Sequence, residues 1–150
     1  MKDISPRLWP YSPANSPIPL PDRPLLFTTQ AVISLTSFSS NASHDEPLNR
    51  EEVKAYAAGF GSDSTSLSDL LLAHEAPSLA ERKPVLLLGE LANPYRLQDI
   101  GMGVLPLLPV RLEGLCRTWA DALDPRESYP GVHHVTLART PGWWELAYIG

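Results

Sequence analysis

The residues best suited to chemistry lie in two stretches far apart in the chain. Glu127 stands within Leu123-Asp124-Pro125-Arg126-Glu127-Ser128-Tyr129-Pro130, just ahead of a tyrosine–proline corner. An acidic side chain at such a corner is poorly suited to core packing and well suited to serve as a carboxylate held at the mouth of a small β-barrel. The second stretch, Val85-Leu86-Leu87-Leu88-Gly89-Glu90-Leu91-Ala92-Asn93-Pro94, reads as a buried strand that breaks into a loop at Gly89. Glycine tolerates positive φ and so lets a strand turn abruptly into a loop. The two stretches together predict a pocket with one positioned carboxylate.

Other reactive side chains read more plainly. His133 and His134 are adjacent, alternate across a strand and lack metal-ligand spacing, so no metal site is expected. His74 sits at the edge of an apolar helical face and is expected to pack there. Cys116 has no activating neighbour in sequence and is assigned to the core. Ser62, Ser64 and Ser66 lack a nucleophile-elbow pattern. Phe60-Gly61-Ser62 imitates a glycine loop but is read as the end of a helix. For Glu127 itself the plain alternative is a solvated turn, with the carboxylate paired to Arg126 or Arg139.

The elements that must position these groups fit one unit of 150 residues with 43% hydrophobic content. A formal charge of −5, with no block of lysine and arginine, argues against nucleic acid as a partner. A lone cysteine forms no internal disulfide, and no apolar run reaches membrane-spanning length. The expectation is a cytoplasmic protein with no membrane association. Seven of the 16 prolines (Pro6, Pro10, Pro13, Pro17, Pro19, Pro21 and Pro24) fall in the first 24 residues. Each fixes φ and removes a donor, so residues 1–24 are expected as an extended, partly polyproline II arm ahead of a domain over 25–150. The arm is read as either a loose tail or a segment docking on its own domain, a second copy or a protein partner.

Along the domain, Leu25 to Phe38 predicts one long or two short strands. Asn49-Arg50-Glu51-Glu52 predicts a capped helix with Val53, Tyr56, Ala57 and Phe60 on one face, closed by Gly59 and Gly61. Ser66 to Asp69 predicts a second cap, with Leu67, Leu70, Leu71 and His74 sharing a face. Val85 to Leu88 is read as a fully buried strand, and Asn93-Pro94 opens a short helix to Ile100. Val110 to Trp119 is a strand. Val132 to Thr140 and Trp143 to Ile149 are read as a hairpin across Pro141-Gly142, with one of Trp143 and Trp144 in the core. The pattern is α+β, with two or three helices over one side of the sheet.

Three of these pieces, in this order, resemble the γ-glutamylcyclotransferase-like family. Leu88-Gly89-Glu90-Leu91 is similar to the family's glycine loop after its first strand. Pro109-Val110-Arg111-Leu112-Glu113-Gly114-Leu115-Cys116-Arg117-Thr118-Trp119 resembles its next strand. Leu123 to Gly150 resembles the Leu-Asp-x-x-Glu-x-Tyr-Pro segment and closing hairpin. The resemblance covers roughly residues 84–150. It implies a small mixed β-barrel with peripheral helices and a cytoplasmic, cofactor-independent enzyme of the transferase or lyase type. In that chemistry the α-amine of a small γ-glutamyl amine or peptide attacks its own γ-carbonyl, releasing an amine and 5-oxoproline. Glu127 matches the catalytic glutamate; Leu88, Gly89, Glu90 and Leu91 match the ligand loop, with Arg117 and Tyr129 beside it. Leu88 and Glu90 depart from the family's aromatic and small hydroxyl residues. The alternative is therefore a catalytically inactive barrel serving as an interaction or assembly module.

Overall fold

The computed structural model describes residues 23–43, 47–88, 90–120 and 134–150. The proline-rich segment 1–22 and the stretch 121–133 lie outside the described residues. In chain order the elements are β1 (Leu25–Phe27), β2 (Val32–Ser34), β3 (Thr36–Ser37), α1 (Arg50–Ala58), β4 (Phe60–Ser62), β5 (Thr65–Ser66), α2 (Leu67–Ala73), β6 (Leu86–Leu87), α3 (Pro94–Asp99), β7 (Leu105–Ala120) and β8 (His134–Ile149). They form two antiparallel sheets, ordered β2-β1-β7-β8-β6 and β3-β4-β5. The fold is α+β, but the expected barrel is not closed. Closure needs the two end strands of the larger sheet to pair with each other. Here those ends are β2 and β6, of three and two residues, and neither pairs with the other.

The larger sheet is covered on both faces, not on one side as its pattern suggested. The reason begins in β1, where Leu25, Leu26 and Phe27 are all buried. Successive strand residues point to opposite faces, so three buried in a row demand cover on both. Leu26 joins Leu35, Tyr56, Ala57, Phe60, Leu67, Leu71 and Leu108 in a core beneath α1 and α2. Leu25 and Phe27 join Leu87, Ala92, Leu97, Leu107 and Tyr148 in a second core beneath α3. Leu107 and Leu108 divide between the two cores in the same way.

Local chemistry sets the helix ends. Asn49 accepts from the amides of Glu51 and Glu52, while the Glu52 carboxylate accepts from the Asn49 N–H at 2.7 Å, completing the capping box. Ser66 caps α2 by accepting from Asp69 N–H. Leu67 and Leu71 of that helix are fully enclosed, but His74 is its exposed C-cap and not a packed side chain. Asn93-Pro94 opens α3 as expected. Phe60-Gly61-Ser62 is strand β4, which turns into β5 across Asp63 and Ser64. Both of those residues have positive φ, 46° and 67°, as a two-residue type I′ hairpin requires. The segment from Val85 to Leu88 is an edge rather than a buried strand: Val85 is 55% exposed and only Leu87 is buried.

Tyr56 ties α1 to the sheet, its hydroxyl donating to the Pro109 carbonyl at 2.5 Å. Burial raises this phenol above its ordinary pKa of 10.0. A raised pKa gives a contribution that is intact below the unfolded value and disappears as pH climbs through the folded one. Tyr56→Phe is expected to lose about 1 kcal/mol at neutral pH and to show a shallower stability loss above pH ~10. Urea unfolding of both proteins at neutral and alkaline pH reads this directly.

The dominant feature is the ribbon of β7 and β8. They pair from Leu108↔Ile149 to Glu113↔Trp144, then resume from Leu115↔Arg139 to Ala120↔His134. Between these blocks Gly114 alone faces Thr140, Pro141, Gly142 and Trp143. Pro141-Gly142 is thus an extended bulge inside one strand and not the hairpin turn that its composition suggested. Gly114 and Gly142 both take positive φ, 68° and 80°, which lets the two strands deform together. A turn at Pro141 would have left the distal half of β7 without a partner, whereas the bulge preserves the ladder on both sides.

Candidate functional site

The bulge folds the ribbon upon itself. Glu145 lies opposite Leu112, five residues before Arg117 on β7. Five strand residues span about 16 Å if straight, far beyond the reach of a glutamate side chain. Yet Glu145 Oε1 accepts from Arg117 Nε at 2.7 Å, and its Oε2 accepts from the Arg117 backbone N–H. The strand must therefore turn sharply at Gly114. The Arg117 and Glu145 side chains are only 9% and 19% exposed, so this charge pair is largely removed from water. Arg111 and Glu113, nearer the sheet, make an exposed pair at 2.6 Å instead.

Arg117 was expected beside the ligand loop; the structure gives it Glu145 as a direct partner. Sequence reading missed Glu145, although a signal was present. It is the single acidic residue in the apolar run Trp143 to Ile149, and a carboxylate in such a strand needs a compensating donor.

The ligand-loop segment follows β6. Leu86 pairs with Ile149 and Leu87 with Tyr148, after which the chain leaves the sheet at Leu88. Leu88 is half-buried, the backbone of Glu90–Ala92 forms a three-ten turn, and Leu91 is 43% exposed. Gly89, Glu127 and Tyr129 lie outside the described residues, as does His133. Glu127 and Tyr129 belong to the connection between the ends of β7 and β8. Cys116 is half-buried on the distal ribbon. Neither tryptophan enters the core: Trp143 is 62% and Trp144 52% exposed, and Arg111 lies over the Trp144 ring with its guanidinium carbon 4.6 Å from the centroid.

A depression opens beside α1. Val53, Ala57, Leu79, Pro84, Pro106, Leu108 and Ile149 line it, with Lys54 and Arg82 at its rim. Its interior volume is about 40 Å³, room for a few waters but not for a γ-glutamyl compound. The Arg82 guanidinium is committed to the Pro77 and Val104 carbonyls at 2.9 and 3.1 Å, and its remaining nitrogen is enclosed by protein. Lys54 donates to the Ala80 carbonyl. This depression is a packing defect at the seam of α1 and the sheet.

Among the described residues, no cluster of three or more His, Cys, Asp or Glu could hold a metal ion, and no helix is long and apolar enough to cross a membrane. Comparison with known proteins adds no relative: no family model, curated protein or solved structure matches the chain.

Proposed function

We propose that the chain is a divergent γ-glutamylcyclotransferase-like protein, cleaving a small γ-glutamyl amine or peptide to 5-oxoproline. In this reading Glu127 serves as acid and base, the Leu88–Leu91 backbone receives the substrate carboxylate, and Tyr129 lies nearby. Arg117 acts through Glu145, as a positioning residue that sets the bend of the ribbon from which the Glu127 segment departs.

The observation that supports this is the adjacency of the resembling pieces in space. Strands β7, β8 and β6 are consecutive neighbours in one sheet. The two-residue β6 pairs with Ile149 and Tyr148 of β8, the strand that also carries Glu145, whose pairing with Arg117 folds the ribbon at Gly114. Cyclisation needs no cofactor, because the nucleophile, the electrophile and the leaving amine all belong to the substrate. The protein supplies proton transfer and orientation. A base takes the proton from the attacking α-ammonium, and the resulting acid returns it to the departing nitrogen.

The test is 5-oxoproline release from a panel of γ-glutamyl amines and dipeptides by the full chain. Time-dependent product from at least one compound is the expected result. No product from any of them, together with no rise in melting temperature at millimolar ligand, would remove the enzymatic reading. The second reading, an interaction module on the same scaffold, rests on the open sheet, the exposed Trp143 and the substitutions at Leu88 and Glu90.

A further inference from the structure

The open edge of β2 leaves room for one more strand. We infer that it takes an extended peptide with a free amino terminus, whose ammonium meets Asp63 while its backbone pairs with Val32 and Ser34.

The direction of the unpaired groups follows from the ladder. Leu35 N–H donates to the Pro24 carbonyl and Thr28 N–H to the Ala31 carbonyl, both at 2.9 Å. Opposed residues in an antiparallel pair alternate between bonded and non-bonded. Leu26 and Ile33, midway between those two pairs, therefore exchange bonds, and Val32 and Ser34 turn their N–H and C=O groups away from β1. β2 ends its sheet, so among the described residues no strand meets them.

The neighbouring sheet shapes the space beside this edge. The chain runs from β2 through Leu35 into β3, where Thr36 lies opposite Gly61 of β4. β4 then turns at Asp63 and Ser64 and returns as β5, on its side away from β3. The place that a longer β4 would take alongside β2 is thus left open. Val32, Ile33, Ser34, Thr36, Ser62 and Asp63 line this depression, whose volume is about 400 Å³. That size is within the range of pockets that enclose small ligands.

Charge and backbone polarity select the occupant. Asp63 is exposed at one end of the slot, and its carboxylate has no cationic partner among the described residues. A peptide continuing the course of β4 would run antiparallel to β2 and begin at Asp63, so the group it brings there is its amino terminus. Added strands draw affinity from main-chain bonds, and capture of a terminal charge fixes where they start. The slot lies at the opposite end of the larger sheet from β6, apart from the loop in the proposed cyclisation.

The experiment titrates the isotope-labelled full chain with Val-Thr-Val-Thr-amide carrying a free amino terminus, read by amide chemical shifts. Binding is expected, with shifts centred on Val32, Ser34 and Asp63. Acetylating the peptide, or Asp63→Asn, should each weaken binding about fivefold, the scale of a solvent-exposed ion pair. Asn tolerates positive φ as Asp does, so the turn survives. Ser34→Pro removes one outward N–H at an edge position, where proline is accommodated, and should weaken binding about tenfold. Should that variant misfold, the unmodified chain is titrated with peptides N-methylated at each residue in turn, and only alternate positions should lose affinity. Absence of shifts at these amides, equal affinity for the acetylated peptide, or a uniform effect of N-methylation overturns the inference. Self-association through β2 without peptide binding, read by light scattering, overturns it as well and assigns the edge to a second copy.

Discussion

Replacing Glu127 with Gln should lower 5-oxoproline release by about 10²–10⁴-fold, the range for removing a positioned acid–base group, while the melting temperature stays unchanged. Gln is nearly the same shape but cannot take the ammonium proton or return one to the leaving nitrogen. The loss should fall mainly on kcat, because the carboxylate acts on the proton and not on the substrate's recognition groups. Asp124→Asn, a change of the same charge in the same connection, is the control and should retain turnover within about twofold. Undiminished turnover in Glu127→Gln would exclude the residue from the mechanism. Equal loss in both variants would point to a general charge effect instead.

The second large effect concerns the folded ribbon. Arg117→Met should destabilise the protein by about 3–5 kcal/mol, because it leaves the Glu145 carboxylate largely shielded from water with its guanidinium partner gone. The combined change Arg117→Met with Glu145→Met should recover most of that loss, since apolar side chains of similar volume replace a desolvated pair at little net cost. Urea unfolding of the four proteins of this cycle isolates the coupling. If the single and double variants are equally unstable, the pair does not hold the bend. A single variant within 0.5 kcal/mol of the parent, the range of ordinary surface changes, would mean the pair is effectively solvated.

Where the chain's structure is governed by neighbours in sequence, reading the sequence succeeded. The Asn49–Glu52 box, the Ser66 cap and the Pro94 helix start each depend on groups within three or four positions, and each formed as expected. Long-range features were less legible. Pro141-Gly142 has the composition of a turn, and only the partner strand, with Gly114 opposite, makes it a bulge. Trp143 falls within that bulge, while Trp144 keeps the alternation of Leu146 and Tyr148 but is not among the core residues, so both lie exposed. A short apolar run such as Val85 to Leu88 does not say whether a strand is central or marginal. The barrel expectation came from resemblance alone, and two very short end strands leave the sheet open. For the candidate site, the sequence singled out Arg117 but not Glu145, because the fold at Gly114 that joins them is invisible to local pattern.

The outer margin of β7 carries a consequence for behaviour at high concentration. Sixteen residues of extended backbone next to a three-residue neighbour would ordinarily invite a foreign chain to add itself and seed fibrils. Three features close that route. Pro109 offers no amide hydrogen and its oxygen is already taken by Tyr56; Arg111 and Glu113 interrupt the surface with charge; the Arg117 amide is claimed by Glu145. The same contacts that tether a helix and crease the ribbon therefore also guard the molecule against self-templated polymerisation.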